Sequence, residues 1–418
     1  GIDVALNGQY ENMILASGEK AALELGDGCE LSYTTDRSYC VSVWNGATLV
    51  LNGGKTAAGA YIDLGRNFDP AASHPLISVP KALTGDVQLL LTMTGVTSIA
   101  QGAGGYQLTQ ADCDRLKVNP ESMVSLYGEP HQKYDDNFEL YLDPAAEHQI
   151  KLRRKNFTPP TSGNIDMTSM TADEAQLTIR AAVAAGFTEI KLTGELSKTG
   201  IGGNWGTFIN NKKITKCDLT GVTDWGRTPT LPDVAFANCT ALQEVTLPGD
   251  MKVIGGSAFS GCAALTTVNL SQVTWINLNA FWGCTSLETL ALDNVTAIGQ
   301  EAFYGCTGLE TLKIPKCTQF GNYIISGCKA LTRIEATAAG DFVDISDGRS
   351  SIERTAVFHN RDSHYGDSAF DPAKCDLVLN ADKKQGGNAT PKVFSDNEWL
   401  MMPNGQLMRW NSITFGQQ

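Results

Sequence analysis

Charge is scarce in this chain, and cationic charge scarcer still. Only 18% of the 418 residues are Asp, Glu, Lys or Arg, and they leave a net charge of −13. No basic stripe interrupts that acidity, which argues against nucleic-acid partners, because a phosphate backbone needs clustered Lys and Arg. The same balance argues against holding an anionic membrane by charge. Nor does any apolar run approach the roughly 20 residues of a membrane-spanning helix, so no membrane insertion is expected. Catalytic signatures are missing too: there is no G-x-S-x-G, H-E-x-x-H, P-loop or dinucleotide fingerprint. No Cys pair or Cys/His cluster has metal-ligand spacing. The reading is of a protein that is no enzyme, with no cofactor and no metal.

What is abundant is glycine, 42 residues, which suits strands and turns rather than long helices. Within 235–336 one pattern recurs. Ala235-Phe236-Ala237-Asn238-Cys239 runs on to Leu242, Ala258-Phe259-Ser260-Gly261-Cys262 to Leu265, and Ala280-Phe281-Trp282-Gly283-Cys284 to Leu287. Ala302-Phe303-Tyr304-Gly305-Cys306 runs on to Leu309, and a worn copy, Ile324-Ile325-Ser326-Gly327-Cys328, to Leu331. The cysteines step by 23, 22, 22 and 22 residues, and each copy enters a short strand such as Val245-Thr246-Leu247 or Leu312-Lys313-Ile314. A 22-residue unit cannot bury its own apolar face. Stacked coils place like residues in columns of Phe, Cys and Leu and in a parallel strand column, so the array is stable though no coil is. A further column stands five residues before the Phe positions: Ile254, Ile276, Ile298 and Phe320.

The pattern A-F-x-G-C-x-x-L-x-x-V/L-x-L-P resembles the BspA-like leucine-rich repeats of bacterial surface proteins. The resemblance covers about 170–418 and is strongest over 235–336. It implies a strand-sheeted solenoid and a role in adhesion or recognition of host or matrix proteins at the cell surface or in secreted form. Lipid anchoring through a segment not present here would be compatible. The chain opens Gly1-Ile2-Asp3-Val4 without a signal-peptide pattern and is read as starting at a mature or trimmed end.

The fold class read from the whole chain is mainly β with short helices: the repeat solenoid preceded by an all-β module over 1–155. Strands such as Thr48-Leu49-Val50-Leu51 and Val87-Gln88-Leu89-Leu90-Leu91 alternate with turn signals such as Asn52-Gly53-Gly54. They suit an irregular β-helix or a β-sandwich equally. Residues 156–169 read as a linker, and 170–418 as the repeat domain. Thr171 with Glu174 makes a capping box for a helix that ends at Gly186 and caps the open end of the solenoid. Residues 337–368 read as a charged insertion and 369–418 as a C-terminal cap carrying Trp399, Trp410, Ile413 and Phe415.

The repeat cysteines read as reduced packing thiols, because stacked side chains point the same way rather than toward each other. Cys29 and Cys40 flank two strands and could pair, though the free-thiol reading is favoured. Two clusters could hold a metal, His359 to Asp367 and Tyr134 to Glu139; a polar loop and a chance grouping of carboxylates account for them better. The candidate binding surface follows from strand alternation: Glu244, Thr246, Thr267, Asn269, Thr289, Thr311, Lys313 and Arg333 face outward, joined by Trp282 and Tyr304 on adjacent coils. Exposed together, those two rings would anchor a protein partner or stack a sugar. The expected function is binding of a host or matrix protein, with a glycan-binding accessory protein as the alternative.

Overall fold

The computed structural model describes residues 14–17, 22–26, 29–31, 39–44, 47–57, 60–65, 77–94, 98–125, 132–134, 138–143, 149–203, 206–339, 342–345, 358, 370–381, 398–401 and 407–416. The chain divides into two compact units, 1–158 and 159–418.

In the first unit the strands pair in parallel stacks, and the chain visits the stacks in turn. Ile14–Ser17, Tyr39–Trp44, Tyr61–Gly65 and Val87–Thr94 form one stack. Ala22–Gly26, Thr48–Asn52, Ile77–Val79 and Ser98–Gly102 form a second. A third is short, Glu30–Leu31 on Lys55–Thr56. Of the two readings left open by the sequence, this is the irregular β-helix; a sandwich would pair its neighbours antiparallel. Alternation explains it. Thr48–Asn52 buries Leu49 and Leu51 and half-exposes the residues between them, and like positions stack as Leu23, Leu49 and Ile77. An antiparallel hairpin, Phe138–Asp143 with Gln149–Arg154, pairs onto Ser98–Gly102 and ends that stack.

The unit is not purely β. Gln110–Arg115 is a helix, opened by a capping box between Thr109 and Asp112. Asp112 is 2% exposed and accepts from the Leu83 N–H (2.8 Å), the Tyr106 hydroxyl (2.7 Å) and the Thr109 N–H (2.8 Å). Burial raises its pKa, but these donors outweigh burial and hold the carboxyl below its usual range.

The second unit is the repeat solenoid. Its opening helix, Ala172–Ala184, has the Thr171–Glu174 capping box and buries Ala175, Ile179, Ala182 and Val183. Part of the segment read as linker belongs to the solenoid instead. Asn164–Asp166 pairs with Glu189–Glu195, and Ile165 and Met167 join the core, because an apolar residue between polar ones already fits a strand edge.

Two parallel sheets run along the coils. The back sheet is continuous through Thr230–Leu231, Val253–Ile254, Trp275–Ile276, Ala297–Ile298, Gln319–Phe320 and Val343–Asp344. It is the Ile254/Ile276/Ile298/Phe320 column read from the sequence. The front sheet comes in two blocks. Asn164–Asp166, Glu189–Glu195, Lys216–Thr223, Glu244–Thr246 and Thr267–Val268 form the first. Thr289–Ala291, Thr311–Lys313, Arg333–Ala336, Asp376–Asn380 and Ser412–Gly416 form the second. The tail therefore does more than plug the end: Ile413 and Phe415 lie on a strand that pairs with Asp376–Asn380. Trp410 packs inside at 1% exposure, edge-on to Phe358. The side chain of Trp399 lies outside the described residues. Within the insertion, Val343–Asp344 extends the back sheet and Phe342 sits edge-on to Phe320 at 5.2 Å.

Candidate binding surface

Each regular coil turns at the A-F-x-G-C motif, and the turn dictates the residues. Val234, Ser257, Asn279, Glu301 and Tyr323 precede the Ala or Ile of each copy with φ between 53° and 59°. The motif glycines Gly261, Gly283, Gly305 and Gly327 lie at φ 70–77°, a region L side chains enter at a cost. Asn238 takes that place in the first copy at φ 59°, as the residue type that tolerates it best. The Phe rings stack down the core from Phe208 through Phe236, Phe259 and Phe281 to Phe303, with centroids 5.2–5.7 Å apart.

The cysteine column has a role that packing alone does not explain. Each thiol donates to the backbone carbonyl of a Phe on an earlier coil: Cys239 to Phe208 (2.8 Å), Cys262 to Phe236 (3.0 Å), and Cys284, Cys306 and Cys328 to Phe259, Phe281 and Phe303 (3.1 Å each). Each of these carbonyls also accepts a backbone N–H of its own coil at 3.0–3.1 Å, so the thiol fills the second acceptor site and ties one coil to the next. All five are free thiols. Burial pushes Cys239 and Cys306 up to about 12 and the other three well above the ordinary thiol value, so the column is protonated and unreactive. Cys29 is a free, half-buried thiol; the side chain of Cys40 is outside the described residues. The His359 to Asp367 cluster and Asp135 to Asn137 are outside them as well.

The candidate surface residues fall on the front sheet in register. Glu244 stands beside Thr267, and Thr289 beside Thr311 beside Arg333. Thr267, Asn269, Thr289, Lys313 and Arg333 are exposed; Glu244, Thr246 and Thr311 are half-buried. Several are already engaged within the protein. Asn269 accepts from the Leu247 N–H (2.7 Å) and donates to the Leu247 carbonyl (2.9 Å), so its amide mimics a strand partner for the preceding coil. Arg333 donates to Glu335 at 2.7 Å, Lys313 lies 4.0 Å from Asp293, and Glu244 lies 3.8 Å from Lys216. What remains without a charge partner is the threonine patch, at the place where the front sheet divides.

The aromatic pair differs from expectation. Trp282 and Tyr304 stack at 5.8 Å with ring planes 5° apart, but Trp282 is 41% exposed and Tyr304 only 5%. Tyr304 is an underlay rather than a surface ring, because Trp282 of the adjacent coil covers one of its faces. Two residues escaped the sequence reading: Trp275 (46% exposed) and Leu278 (51%) stand on the same coil as Trp282. The signal was present in the register. Trp275 occupies the column of Val253 and Ala297, so a bulky ring stands where neighbours are small. Among the described residues these three are the exposed large hydrophobics, and they share one stretch of eight residues.

Comparison with known proteins agrees with this geometry. Residues 207–332 match the BspA type leucine rich repeat region in six copies. One copy more is present than the cysteine column shows. Phe208-Ile209-Asn210 opens the array without a Cys, and its signal is Phe208 with Asn210 at φ 59°, standing in for the glycine. No curated protein matches the chain. Among solved structures, a leucine-rich-repeat protein of Treponema pallidum is similar at 26% identity over 30% of this chain and 59% of its own, with a TM-score of 0.28. A leucine-rich cell surface protein of Faecalibacterium prausnitzii is similar at 17% identity over 72% of this chain and 60% of its own (TM-score 0.25). The pneumococcal vaccine antigen PcpA is similar at 13% identity over 90% and 86% (TM-score 0.29). The chain thus spans about three fifths of the first two. No described helix is long and apolar enough to cross a membrane. The stacked Phe rings, the Cys-to-carbonyl ladder and the 22-residue register, together with the six matched copies, make residues 207–332 a BspA-type leucine-rich-repeat region, and the second unit a solenoid built around it.

Proposed function

We propose that this is a non-enzymatic binding protein of the bacterial surface, or a secreted one, which recognises a host or matrix protein through its repeat unit. One observation carries the reading: Trp275, Leu278 and Trp282, all more than 40% exposed, on a single coil. Large apolar side chains left together in water cost free energy that a partner recovers, and Trp is the residue most enriched at binding hot spots. The threonine patch of the front sheet, Thr267, Thr289 and Thr311, supplies uncharged polar contacts on the same unit. The repeat family and the surface-protein description of a similar structure support the location.

The exposed face of Trp282, held flat by Tyr304 beneath it, favours one second reading, stacking of a sugar ring. The test is an array of matrix proteins and glycans probed with the full chain and with Trp275→Ala and Trp282→Ala. Protein binding lost in both variants supports the proposal. Glycan binding lost only in Trp282→Ala supports the second reading. Binding untouched by either change overturns both.

A further inference from the structure

A groove of about 640 Å³ opens on the second unit where the strand Lys216–Thr223 ends. Val222, Trp225, Pro229 and Pro248 give it apolar walls, and Asp224 and Asp250 are its charged residues. No Lys, Arg or His lines it. The volume lies in the range of small-ligand sites.

The hydrogen-bonding capacity of the lining is one-sided. The Trp225 indole N–H donates to the Val222 carbonyl at 2.7 Å, and the ring is 9% exposed. The Thr220 hydroxyl donates to Asp218 at 2.6 Å and the Thr223 hydroxyl to the Gly194 carbonyl at 3.4 Å. Pro229 and Pro248 have no N–H. The side-chain donors of the lining are thus consumed internally. Its carboxylates are not. Asp224 and Asp250 are exposed, and among the described residues neither has an ion pair or a side-chain hydrogen bond. A ligand that fits must bring donors, positive charge and an apolar body. An anion meets two carboxylates and no cation. A neutral sugar finds the tryptophan face largely covered and the side-chain donors spent. A bare metal ion would need more oxygen ligands than two carboxylates beside apolar walls.

We propose that this groove accepts a lysine or arginine side chain presented by a protein partner, with the aliphatic stem along Pro229 and Pro248 and the cationic head between Asp224 and Asp250. Lysine and arginine combine a hydrocarbon stem with a donor-only head, and the −13 net charge of the chain favours such a partner at a distance. The proposal rests on the binding-protein reading only for the partner's being a protein. The preference for a cation rests on the groove itself and is tested without any natural partner.

The experiment is a titration of the full chain with blocked Gly-Arg-Gly, Gly-Lys-Gly and Gly-Glu-Gly peptides and with cellotetraose. The readout is the Trp225 indole N–H resonance, assigned through Trp225→Phe. The two basic peptides should shift that resonance, and Gly-Glu-Gly and the sugar should not. Asp224→Asn/Asp250→Asn should bind the basic peptides about tenfold more weakly, the loss of two partly exposed charge pairs. Asn suits position 224 because it tolerates the φ of 68° found there. Should the double variant fold poorly, Asp250→Lys alone replaces it and should abolish the shift. The proposal fails if Trp225 does not respond to either basic peptide, if Gly-Glu-Gly or cellotetraose shifts it equally, or if neither variant weakens the response. None of these results bears on the matrix-array test of Trp275 and Trp282, so each proposal fails separately.

Discussion

The two units solve one problem in two ways. Both stack parallel strands so that each coil buries its neighbour's apolar edge. In the first unit the step from coil to coil varies, as Ile14 beside Val41, Val41 beside Ile62 and Ile62 beside Leu89 show. In the second unit the step settles at 22 residues, as the bonds from Thr274 to Lys252 and from Thr296 to Thr274 show. What fixes it is the turn. A left-handed residue, a Phe, a Gly and a Cys that donates to a Phe carbonyl leave no room for an extra residue within the turn, and the one 23-residue step, from Cys239 to Cys262, takes its extra residue elsewhere in the coil. No A-F-x-G-C motif occurs in the sequence of the first unit. Local contacts such as Asp112 with Leu83, Tyr106 and Thr109 close its coils instead. Regularity is thus a property of the turn chemistry, and strand stacking does not require it.

The largest effect that separates the two designs is expected from Phe281→Ala. Phe281 is fully buried between Phe259 and Phe303, so the change should cost about 3–5 kcal/mol. In a chain of nearest-neighbour interfaces it should also split the denaturant unfolding of the solenoid into two steps. A single unchanged transition would show that the coils are not coupled through this stack. In the first unit, Asp112→Ala should cost about 2–3 kcal/mol, the loss of a helix cap and of a buried acceptor. Hydrogen exchange should quicken at Leu83 and over Gln110–Arg115 and leave the repeat unit unchanged.

Cys284→Ala comes next. It removes the second donor to the Phe259 carbonyl, which keeps the Cys262 N–H at 3.1 Å, and leaves a small void, for about 1–2 kcal/mol. Cys284→Ser keeps a donor and should lose less; equal losses would mean that only volume matters. The column also sets a pH response. Folded, burial holds the thiols protonated to about 12 at Cys239 and Cys306 and well above the ordinary thiol range at Cys284, whereas an unfolded thiol ionises at about 8.5. The unfolded chain therefore gives up protons that the folded chain keeps. Their contribution is fully present below the unfolded value and declines as pH rises, by about 1.4 kcal/mol per unit for each thiol. Denaturation curves from pH 8 to 11 should show the repeat unit weakening, less so in Cys284→Ser. The smallest stability effect is expected from Trp282→Ala, under about 1 kcal/mol. Partner binding, not melting temperature, should register that change.

Legibility followed the same division. The repeat columns could be read because identical turns recur, and residues that must fit a positive φ or supply a donor have few substitutes. Phe208 was missed because its coil lacks the Cys and is longer than the rest. The helix at Gln110–Arg115 was missed although Thr109 and Asp112 spell its cap, since six residues give too little apolar periodicity to stand out among strands. For the candidate surface, strand alternation names residues that share a face and says nothing of how far each is exposed. The repeat register places Tyr304 after the motif Phe of its coil, and only the neighbouring coil says that Trp282 lies over it.

The sequence by itself determined that a solenoid of 22-residue coils is present, which residues fill its columns, and which helix opens it. These follow from local turn chemistry repeated in register. Only the tertiary structure decided that the first unit is a β-helix, that the front sheet divides between Thr267–Val268 and Thr289–Ala291, that the tail adds a strand, and that Trp275, Leu278 and Trp282 remain in water. Each depends on which coil lies against which, and a one-dimensional pattern carries that information only where the pattern repeats.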